Sequence, residues 1–403
     1  MYRIEGEKHK EKYRLIIPAT LDAHFPLLKY MFWTKEYWVD ILDNQKKIVD
    51  LGLAYANNEM CFPYILMVGQ VVKELQRHPE NVAKTRLLIP TAGDACRGAC
   101  YIGLFKKSLQ KAKLEECKVV TLNVRHVEED INMKISYDMG VRGLFGMYYG
   151  DILMILANQI RPYEKKKGAT DRLWKEWVEK LSEDLKKGKN LHLKNLKQNF
   201  DRICESFMQI EKTNEKKQRI GLVGEFYTKY CSLGNWDVIP YLESQNCETH
   251  TNGLSWYAIY YIDTHMPKKK NLEWQGFRLA RRLLCKVQKK MIDSLRDHGF
   301  FVLSELDVLK EASLKYVSQN LNIGDGWLMG AELIGHIQAD CKKILCIAPF
   351  GCMPNACAGR GLYPYLQRAF PEAAITSVET DASGSQGNYY NRVQMLVHAN
   401  KYN

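Results

Sequence analysis

Short runs rich in branched and aromatic side chains recur along the chain, and each ends at a glycine or a polar turn. These runs occupy residues 13–20, 85–93, 118–124, 219–225, 343–351 and 373–381. Amphipathic helical periodicity fills the intervals between them, as in residues 63–78. Strands that alternate with amphipathic helices predict an α/β protein with mostly parallel sheets.

The middle of the chain has a different pattern. Between about residues 141 and 215 no segment resembles a strand, and residues 171–189 predict a charged amphipathic helix with Leu and Trp on one face. Residues 271–323 are also mostly helical in pattern, and we expect them to pack against this middle region. We therefore predict two Rossmann- or flavodoxin-like parallel-sheet domains and an intervening helical region, with the bounds 1–145, 146–215 and 216–403.

The charge pattern adds a basic surface. The chain has 58 Lys and Arg against 46 Asp and Glu, and residues 161–218 alone hold 16 basic and 10 acidic residues, which is half of the net charge of +12. A docking face for an acidic partner protein fits this pattern as well as nucleic acid does. Because no recognition motif accompanies the basic residues, we expect no nucleic-acid partner.

Two observations concern membranes and targeting. The first residues are polar and charged, which argues against a secretory signal. The longest apolar run, residues 144–157, contains Gly150 and Asp151 and is shorter than the roughly 20 residues of a membrane helix. We expect a soluble cytoplasmic protein without a membrane segment.

The chain has twelve cysteines, which favours metal binding or catalysis over disulfides in a long chain without a signal. Six of them lie in or beside turns, at Cys61, Cys96, Cys100, Cys231, Cys352 and Cys357. Asp94 as a helix N-cap would place Cys96 and Cys100 on one face of a first turn, and Pro63 and Pro354 open helices after Cys61 and Cys352. The positive end of a helix lowers a thiol pKa, so we expect these six thiols to favour the thiolate.

The remaining cysteines lack such turns and are interpreted as structural, at Cys117, Cys204, Cys247, Cys285, Cys341 and Cys346. Zinc prefers four ligands in tight knuckles, which these spacings fit poorly. Iron–sulfur clusters accept cysteines from scattered loops, and three ligands per cubane leave one iron open, so six thiols would make two sets of three. The number of cysteines alone therefore does not decide between zinc and an iron–sulfur cluster.

Longer motifs give a family resemblance. "NNEMCFP", "TAGDACRGACYI", "YYGDILMILANQIRPYE", "GEFYTKYCSLGNW", "FGCMPN" with "GRG", and "ETDASGSQGNYYNRV" resemble the 2-hydroxyacyl-CoA dehydratase and activase-related superfamily, over nearly the whole chain from "IIPATLDAHFPLL" onwards. Ordinary members of that superfamily are similar around Cys61, Cys96 and Cys352, and the resemblance implies that these three positions would be enough for one four-iron cubane. This chain adds Cys100, Cys231 and Cys357, which resembles the double-cubane branch, in which two cubanes share a bridging sulfide.

The resemblance implies an iron–sulfur reductase component. A separate ATP-hydrolysing iron–sulfur protein would dock, supply low-potential electrons to the double-cubane cluster, and so allow the reduction of small molecules. This chain would bind no nucleotide itself, in agreement with the lack of a P-loop motif in the sequence. The resemblance also implies a homodimer, and a cluster in the cleft between the two α/β domains with ligands from both.

Several polar residues near these cysteines are candidates for supporting roles. Arg97 could offset cluster charge, and Glu225 and Asn235 flank Cys231, where they could relay protons or cap a helix. Asp381 and Ser383 could line the cavity, whereas His250 and His336 have no spaced partner and are weaker candidates. Arg97 and Glu225 are the two residues that we predict to be catalytic. Two other functions stay open: a one-cubane 2-hydroxyacyl-CoA dehydratase subunit, and a non-catalytic binding partner with a structural zinc.

Overall fold

The computed structural model describes residues 11–42, 48–57, 59–90, 96–122 and 131–399. It has an α/β fold with two separate sheets, and every strand pairing within them is parallel. The first sheet contains β1 (Tyr13–Ile17), β2 (Tyr37–Ile41), β3 (Thr85–Pro90), β4 (Lys118–Leu122) and β5 (Ile131–Asn132). The second sheet contains β6 (Gln218–Gly224), β7 (Cys247–His250), β8 (Lys343–Pro349) and β9 (Ala374–Thr380).

The two sheets share one topology. The first has the order β2-β1-β3-β4-β5 and the second β7-β6-β8-β9. In each, the first strand pairs with the second on one side and with the third on the other: Leu15 lies opposite Val39 and Arg86. This is the flavodoxin-like order, so the predicted fold class is confirmed.

All six strand runs of the sequence form strands. Their ends differ by a few residues, and residues 91–93 and 123–124 of the predicted runs lie outside the described residues. The sequence missed β2, β5 and β7. Strand β7 has the sequence Cys-Glu-Thr-His and is buried at every position, so burial by tertiary packing overrides its polar composition.

Helices surround both sheets. Those of the first half are α1 (Phe25–Leu28), α2 (Val49–Tyr55), α3 (Phe62–Arg77), α4 (Tyr101–Lys111), α5 (Tyr137–Ile160), α6 (Ala169–Lys187) and α7 (Leu196–Met208). Those of the second half are α8 (Phe226–Tyr230), α9 (Val238–Ser244), α10 (Leu254–His265), α11 (Leu272–Asp297), α12 (Leu306–Ser313), α13 (Gly326–Gln338), α14 (Tyr363–Ala369) and α15 (Gln386–Val397).

The middle of the chain is helical, as the sequence predicts. Residues 141–215 contain no strand, only a single bridge between Glu164 and Lys212. The predicted helix at 171–189 is α6, and α11 packs against α7 and α5, which confirms the expected contact between residues 271–323 and the middle region. Helix α5 runs continuously through position 145, so the first proposed domain boundary lies within a helix.

Asp151, near the centre of α5, contacts residues from both halves of the chain through its carboxylate. It is fully buried, and its carboxylate accepts hydrogen bonds from the amides of Leu254 (2.5 Å) and Ser255 (3.0 Å) in the first turn of α10. His24, from the loop after β1, lies 2.7 Å from the same carboxylate. A Cβ at Gly150 would lie 2.5 Å from the His24 ring, so glycine allows this close approach. The apolar run 144–157 is thus a core helix around a buried acid.

Within the part of the chain that the structure describes, no helix is both long and apolar enough to cross a bilayer.

Candidate functional site

The candidate site lies where the carboxyl ends of the two sheets face each other. In each sheet the strand order reverses next to its first strand, between β1 and β3 and between β6 and β8, and open α/β sheets bind ligands beyond such points. The loop after β1 meets the loop after α8, because the Asp22 amide donates to the Tyr230 carbonyl (3.1 Å). The Asp22 carboxylate in turn accepts from the Ser232 amide at 2.7 Å.

Three of the six predicted cysteines stand at this junction, each just before a helical turn. Cys61 is the N-cap of α3, Cys96 precedes a 3-10 turn at Arg97–Cys100, and Cys352 follows β8 and precedes a helical turn at residue 353. Burial raises the pKa of Cys61 and of Cys352, and smaller contributions show that the three thiols are neighbours: Cys96 adds to the rise at Cys61, and Cys61 adds to the rise at Cys352. The structure therefore brings Cys61, Cys96 and Cys352 into one electrostatic neighbourhood.

Burial determines the protonation of these thiols. It raises the pKa of Cys61 and of Cys352, and the charge of Glu225 adds to both shifts. The Tyr101 hydroxyl, 2.9 Å from the Cys61 sulfur, and the Asn355 amide near Cys352 oppose the rise without cancelling it. The prediction that helix N-termini lower the pKa of these thiols is therefore wrong for Cys61 and Cys352, because desolvation on burial raises both values.

Cys231 has a different setting from the predicted one. It is the C-cap of the short helix α8, not a residue before a helix, and it is fully buried with its sulfur 3.5 Å from the Ala19 carbonyl. Burial raises its pKa to about 12, with a further rise from Asp22, although the amides of Gly234 and Leu233 partly offset this. Its anion-stabilising groups are loop amides of its own turn.

Cys100 and Cys357 are exposed on the same two turns that carry Cys96 and Cys352. Cys100 ends the 3-10 turn and caps α4, and Cys357 lies within a π-helical turn at Asn355–Arg360. Isolated π-turns are frequent at functional sites. Asp94, the predicted cap of the turn with Cys96, lies outside the described residues.

Among the described residues, no group of three or more His, Cys, Asp or Glu side chains comes close enough together to hold one metal ion.

Arg97 joins the two cysteine turns. Its guanidinium donates to the Glu59 carbonyl, two residues before Cys61, and a Cβ at Gly351 would lie 3.4 Å from Arg97 Nη1. Arg97 thus lies between the Cys61 turn of the first domain and the Gly351–Cys352 turn of the second.

Glu225 is both a structural cap and a neighbour of the thiols. It accepts a hydrogen bond from the Thr228 amide at 2.9 Å as the N-cap of α8, and burial raises its pKa. The preceding residue, Gly224, has a φ of +147°. A Cβ at this position would lie 1.9 Å from the carbonyl oxygen of Ile347, so only glycine fits here.

Beneath Glu225 lies a charged group that the sequence analysis missed. Lys229 and Glu332 form an ion pair at 2.9 Å with both side chains almost fully buried. Asp325 accepts from the Phe226 amide at 3.4 Å, and burial, reinforced by Glu225, raises its pKa to about 8. The one available signal is a Lys and a Glu within otherwise apolar helices, in "FYTKYC" and "LMGAELIG".

The other polar candidates have varied positions. The Asn235 side chain donates to the Thr228 carbonyl (2.8 Å) and accepts from the Val238 amide (3.2 Å), so it organises the turn between α8 and α9. Asp381 accepts from the Ser383 hydroxyl at 2.6 Å and lines a cleft beside β9. His250 and His336 line a separate internal cavity, away from the cysteines.

The six cysteines interpreted as structural are mostly inaccessible. Five are buried, at Cys117, Cys204, Cys247, Cys341 and Cys346. Cys285 is partly exposed on α11, where the Arg281 guanidinium lies 3.6 Å from its sulfur.

Comparisons with known proteins provide no family assignment. No model of a known protein family matches this sequence. A search of curated proteins finds no significantly similar sequence. The functional conclusion therefore depends on the site and on the motif resemblance.

Proposed function

We propose that the chain is the substrate-reducing component of a two-component reductase, with a double-cubane iron–sulfur cluster held between its two sheets. The supporting observation is that Cys61 of the first domain lies within electrostatic range of both Cys96 and Cys352, and that Cys352 belongs to the second domain. Cys100 and Cys357 lie on the same turns, and Cys231 lies behind them at the contact with Ala19.

The chemistry of these side chains fits a cluster. The proposed ligands are Cys61, Cys96, Cys100, Cys231, Cys352 and Cys357. Cysteine is the usual ligand of iron–sulfur clusters, and metal binding releases the protons of thiols that are neutral in its absence. Because a cubane is larger than one metal ion, the cysteine sulfurs that bind it would lie farther apart than the ligands of a single ion. When bound, the cluster would supply low-potential electrons.

The remaining residues of the site would exclude water and manage charge. Tyr101 is half-buried and hydrogen-bonds the Cys61 sulfur, so it covers one side of that thiol. Arg97 places a cation between the two cysteine turns. Glu225 lies within electrostatic range of Cys61 and Cys352, and burial raises its pKa, which favours its protonated form beside them.

The partners follow from the family resemblance alone. Electrons would come from a separate ATP-hydrolysing iron–sulfur protein, and the chain would act as a homodimer on small molecules. Each electron transferred to a substrate must be matched by a proton for a neutral product, which gives Glu225 its proposed role as proton donor.

A second candidate is a one-cubane dehydratase subunit for 2-hydroxyacyl-CoA. The observation that favours it is the separation of the six cysteines into two sets. Cys61, Cys96 and Cys352 interact, whereas Cys100 and Cys357 face solvent and the Cys231 sulfur points to a carbonyl of the β1 loop.

Metal and acid-labile sulfide content of the anaerobically purified full chain separates these functions. The proposal expects about eight irons per chain, the dehydratase about four, and a structural zinc protein none. Cys352→Ser and Cys231→Ser should both lose iron, whereas the matched control Cys285→Ser should keep it. Full iron in Cys231→Ser would refute the six-ligand set, and zinc without sulfide would refute both iron functions.

A further inference from the structure

The N-terminal half of helix α11 lies largely outside the protein core. All buried residues of this helix lie between Val287 and Leu295, and the part from Leu272 to Lys286 contains none. At 1.5 Å per residue this part is about 22 Å long, which is about four turns. A helix of this length is only marginally stable in water by itself, so contacts along its sides are needed to stabilise it.

A line of apolar positions runs along this exposed part. Leu272 and Leu279 are 83% and 69% exposed, and Leu283 follows one turn later and is half-buried. With Gly276 between the first two leucines, the positions recur at intervals of four, three and four residues. This is the spacing by which one helix packs against another in a coiled coil. We call these four positions the leucine stripe (Leu272, Gly276, Leu279 and Leu283).

The glycine of the leucine stripe faces open space. A Cβ at Gly276 would meet no other atom within 4 Å among the described residues. Glycine in the interior of a helix is less stable than alanine, and this chain offers no contact that requires it here. A glycine does allow the side chain of a second helix to approach the backbone of α11 closely.

One edge of the leucine stripe is basic. Arg282 and Lys286 are exposed along this edge, and the exposed Arg278 lies one turn before Arg282. None of these three cations forms an ion pair within the part of the chain that the structure describes. Arg281, on the opposite face of α11, is by contrast paired with Asp263. The cations next to the leucine stripe are therefore the ones left to meet a partner.

This charge argues against a second copy of the chain as the partner. Residues 268–286 contain seven basic residues and one acidic residue, so two copies of the segment would repel each other. The acidic residue, Glu273, lies on the other side of the leucine stripe from Arg282 and does not neutralise the basic edge.

The shape of the apolar surface distinguishes the remaining kinds of partner. A helix that lies on a membrane has a broad apolar face with its cations on the opposite side. The leucine stripe is only one side chain wide, and Arg282 and Lys286 adjoin it. A nucleic acid would meet the cations but leave Leu272 and Leu279 in water. A narrow apolar line with a basic edge is best covered by a helix that has apolar and acidic positions side by side.

We propose that the leucine stripe of α11 binds an acidic amphipathic helix of a partner protein. Apolar side chains of that helix would cover Leu272 and Leu279 and pack over Gly276, and its carboxylates would face Arg282 and Lys286. This binding does not depend on the reductase function, because none of the proposed cluster ligands belongs to α11.

Fluorescence anisotropy of the full-length chain with two designed helical peptides tests the proposal. Both peptides have three heptads with Leu at positions a and d, and positions e and g are Glu in one peptide and Lys in the other. The wild type should bind the Glu peptide roughly ten-fold more tightly than the Lys peptide. The double variant Arg282→Glu with Lys286→Glu should reverse this preference.

The apolar part of the contact has its own variant and matched control. Leu279→Ser should weaken binding of the Glu peptide roughly ten-fold, because it removes the central exposed leucine of the stripe. Leu314→Ser changes a leucine that is 49% exposed and lies outside α11, and it should bind as the wild type does. Equal affinity of the wild type for the two peptides would overturn the proposal, as would unchanged binding in Leu279→Ser.

Two further measurements on the same proteins decide between the partners. A wild-type dimer that Leu279→Ser converts to a monomer in sedimentation would assign the stripe to a second copy and overturn the proposal. Binding to phosphatidylcholine–phosphatidylserine vesicles that Leu279→Ser abolishes would assign it to a membrane, with the same consequence.

Iron content keeps this proposal apart from the reductase. Selective binding of the Glu peptide by a protein that holds no iron supports the docking surface and refutes the reductase. A fully iron-loaded protein that binds neither peptide refutes the docking surface and leaves the reductase standing.

Discussion

The two walls of the candidate site are built differently. On the second domain's side, Glu225 stands over the buried Lys229–Glu332 pair and Asp325, each held by contacts at 2.9–3.4 Å. On the first domain's side, Arg97 to Cys100 form a partly exposed 3-10 turn, and the Arg97 guanidinium donates to the Glu59 carbonyl. One wall is fixed by interior charges and the other by surface contacts.

This difference has a physical consequence for the site. A buried ion pair resists rearrangement, because separating its charges leaves each one desolvated. A surface turn can adjust at little cost, since water satisfies the groups it releases. We infer that the second domain sets the position of the site and that the first domain's cysteine turn adapts to what binds there.

The largest expected effect comes from breaking the fixed wall. Lys229→Met leaves the Glu332 carboxylate buried without its partner and should lower the free energy of unfolding by about 3–5 kcal/mol. Urea denaturation of the full chain measures this change. Adding Glu332→Leu should restore most of the stability, because the double variant buries no unpaired charge.

The matched control is Lys187→Met, which removes an exposed partner of Glu183 and should leave the denaturation midpoint unchanged. Equal losses in Lys229→Met and Lys187→Met would show that the interior pair does not fix this wall.

The raised pKa of Asp325 predicts that the free energy of unfolding depends on pH. Its pKa is about 8 in the folded protein and near 4 when unfolded, so the folded state binds the extra proton between these values. Stability from this group is complete below about pH 4 and falls as pH rises to about 8, by at most about 1.4 kcal/mol per pH unit. Asp325→Asn should flatten this fall.

Denaturation at pH 5, 6, 7 and 8 compares wild type with Asp325→Asn and with Asp340→Asn, an exposed control that should keep the wild-type slope. If wild type and Asp325→Asn show the same slope, Asp325 is not protonated in the fold.

The sequence predicted the features that depend on local patterns. Branched runs gave six strands, and Pro63 with the residues around it gave the start of α3 at Cys61. It missed β7, whose Cys-Glu-Thr-His pattern is polar and becomes a strand because packing buries it. A local run of branched residues is enough to predict a strand. A polar segment such as β7 becomes a strand only because the rest of the fold buries it.

The site was less predictable for the same reason. Lys229 and Glu332 are 103 residues apart, so no local pattern could indicate their pairing. Cys231 was expected beside an anion-stabilising turn, but the end of α8 that it occupies depends on where that helix stops. The pKa values of Cys61 and Cys352 were expected to be lowered but are raised, because the burial of a thiol depends on the fold and not on a local sequence pattern.

The smallest effect on stability should come from the adaptable wall. Arg97→Ala removes one hydrogen bond at the surface and should cost about 1 kcal/mol or less in unfolding free energy. The same change releases the Cys96 turn from the Cys61 turn, so iron should be lost to a chelator several-fold faster. Arg77→Ala, an exposed arginine at the end of α3, is the matched control and should change neither quantity. A stability loss as large as that of Lys229→Met would show that both walls are equally fixed, because only a turn integrated into the interior could lose so much with one surface arginine.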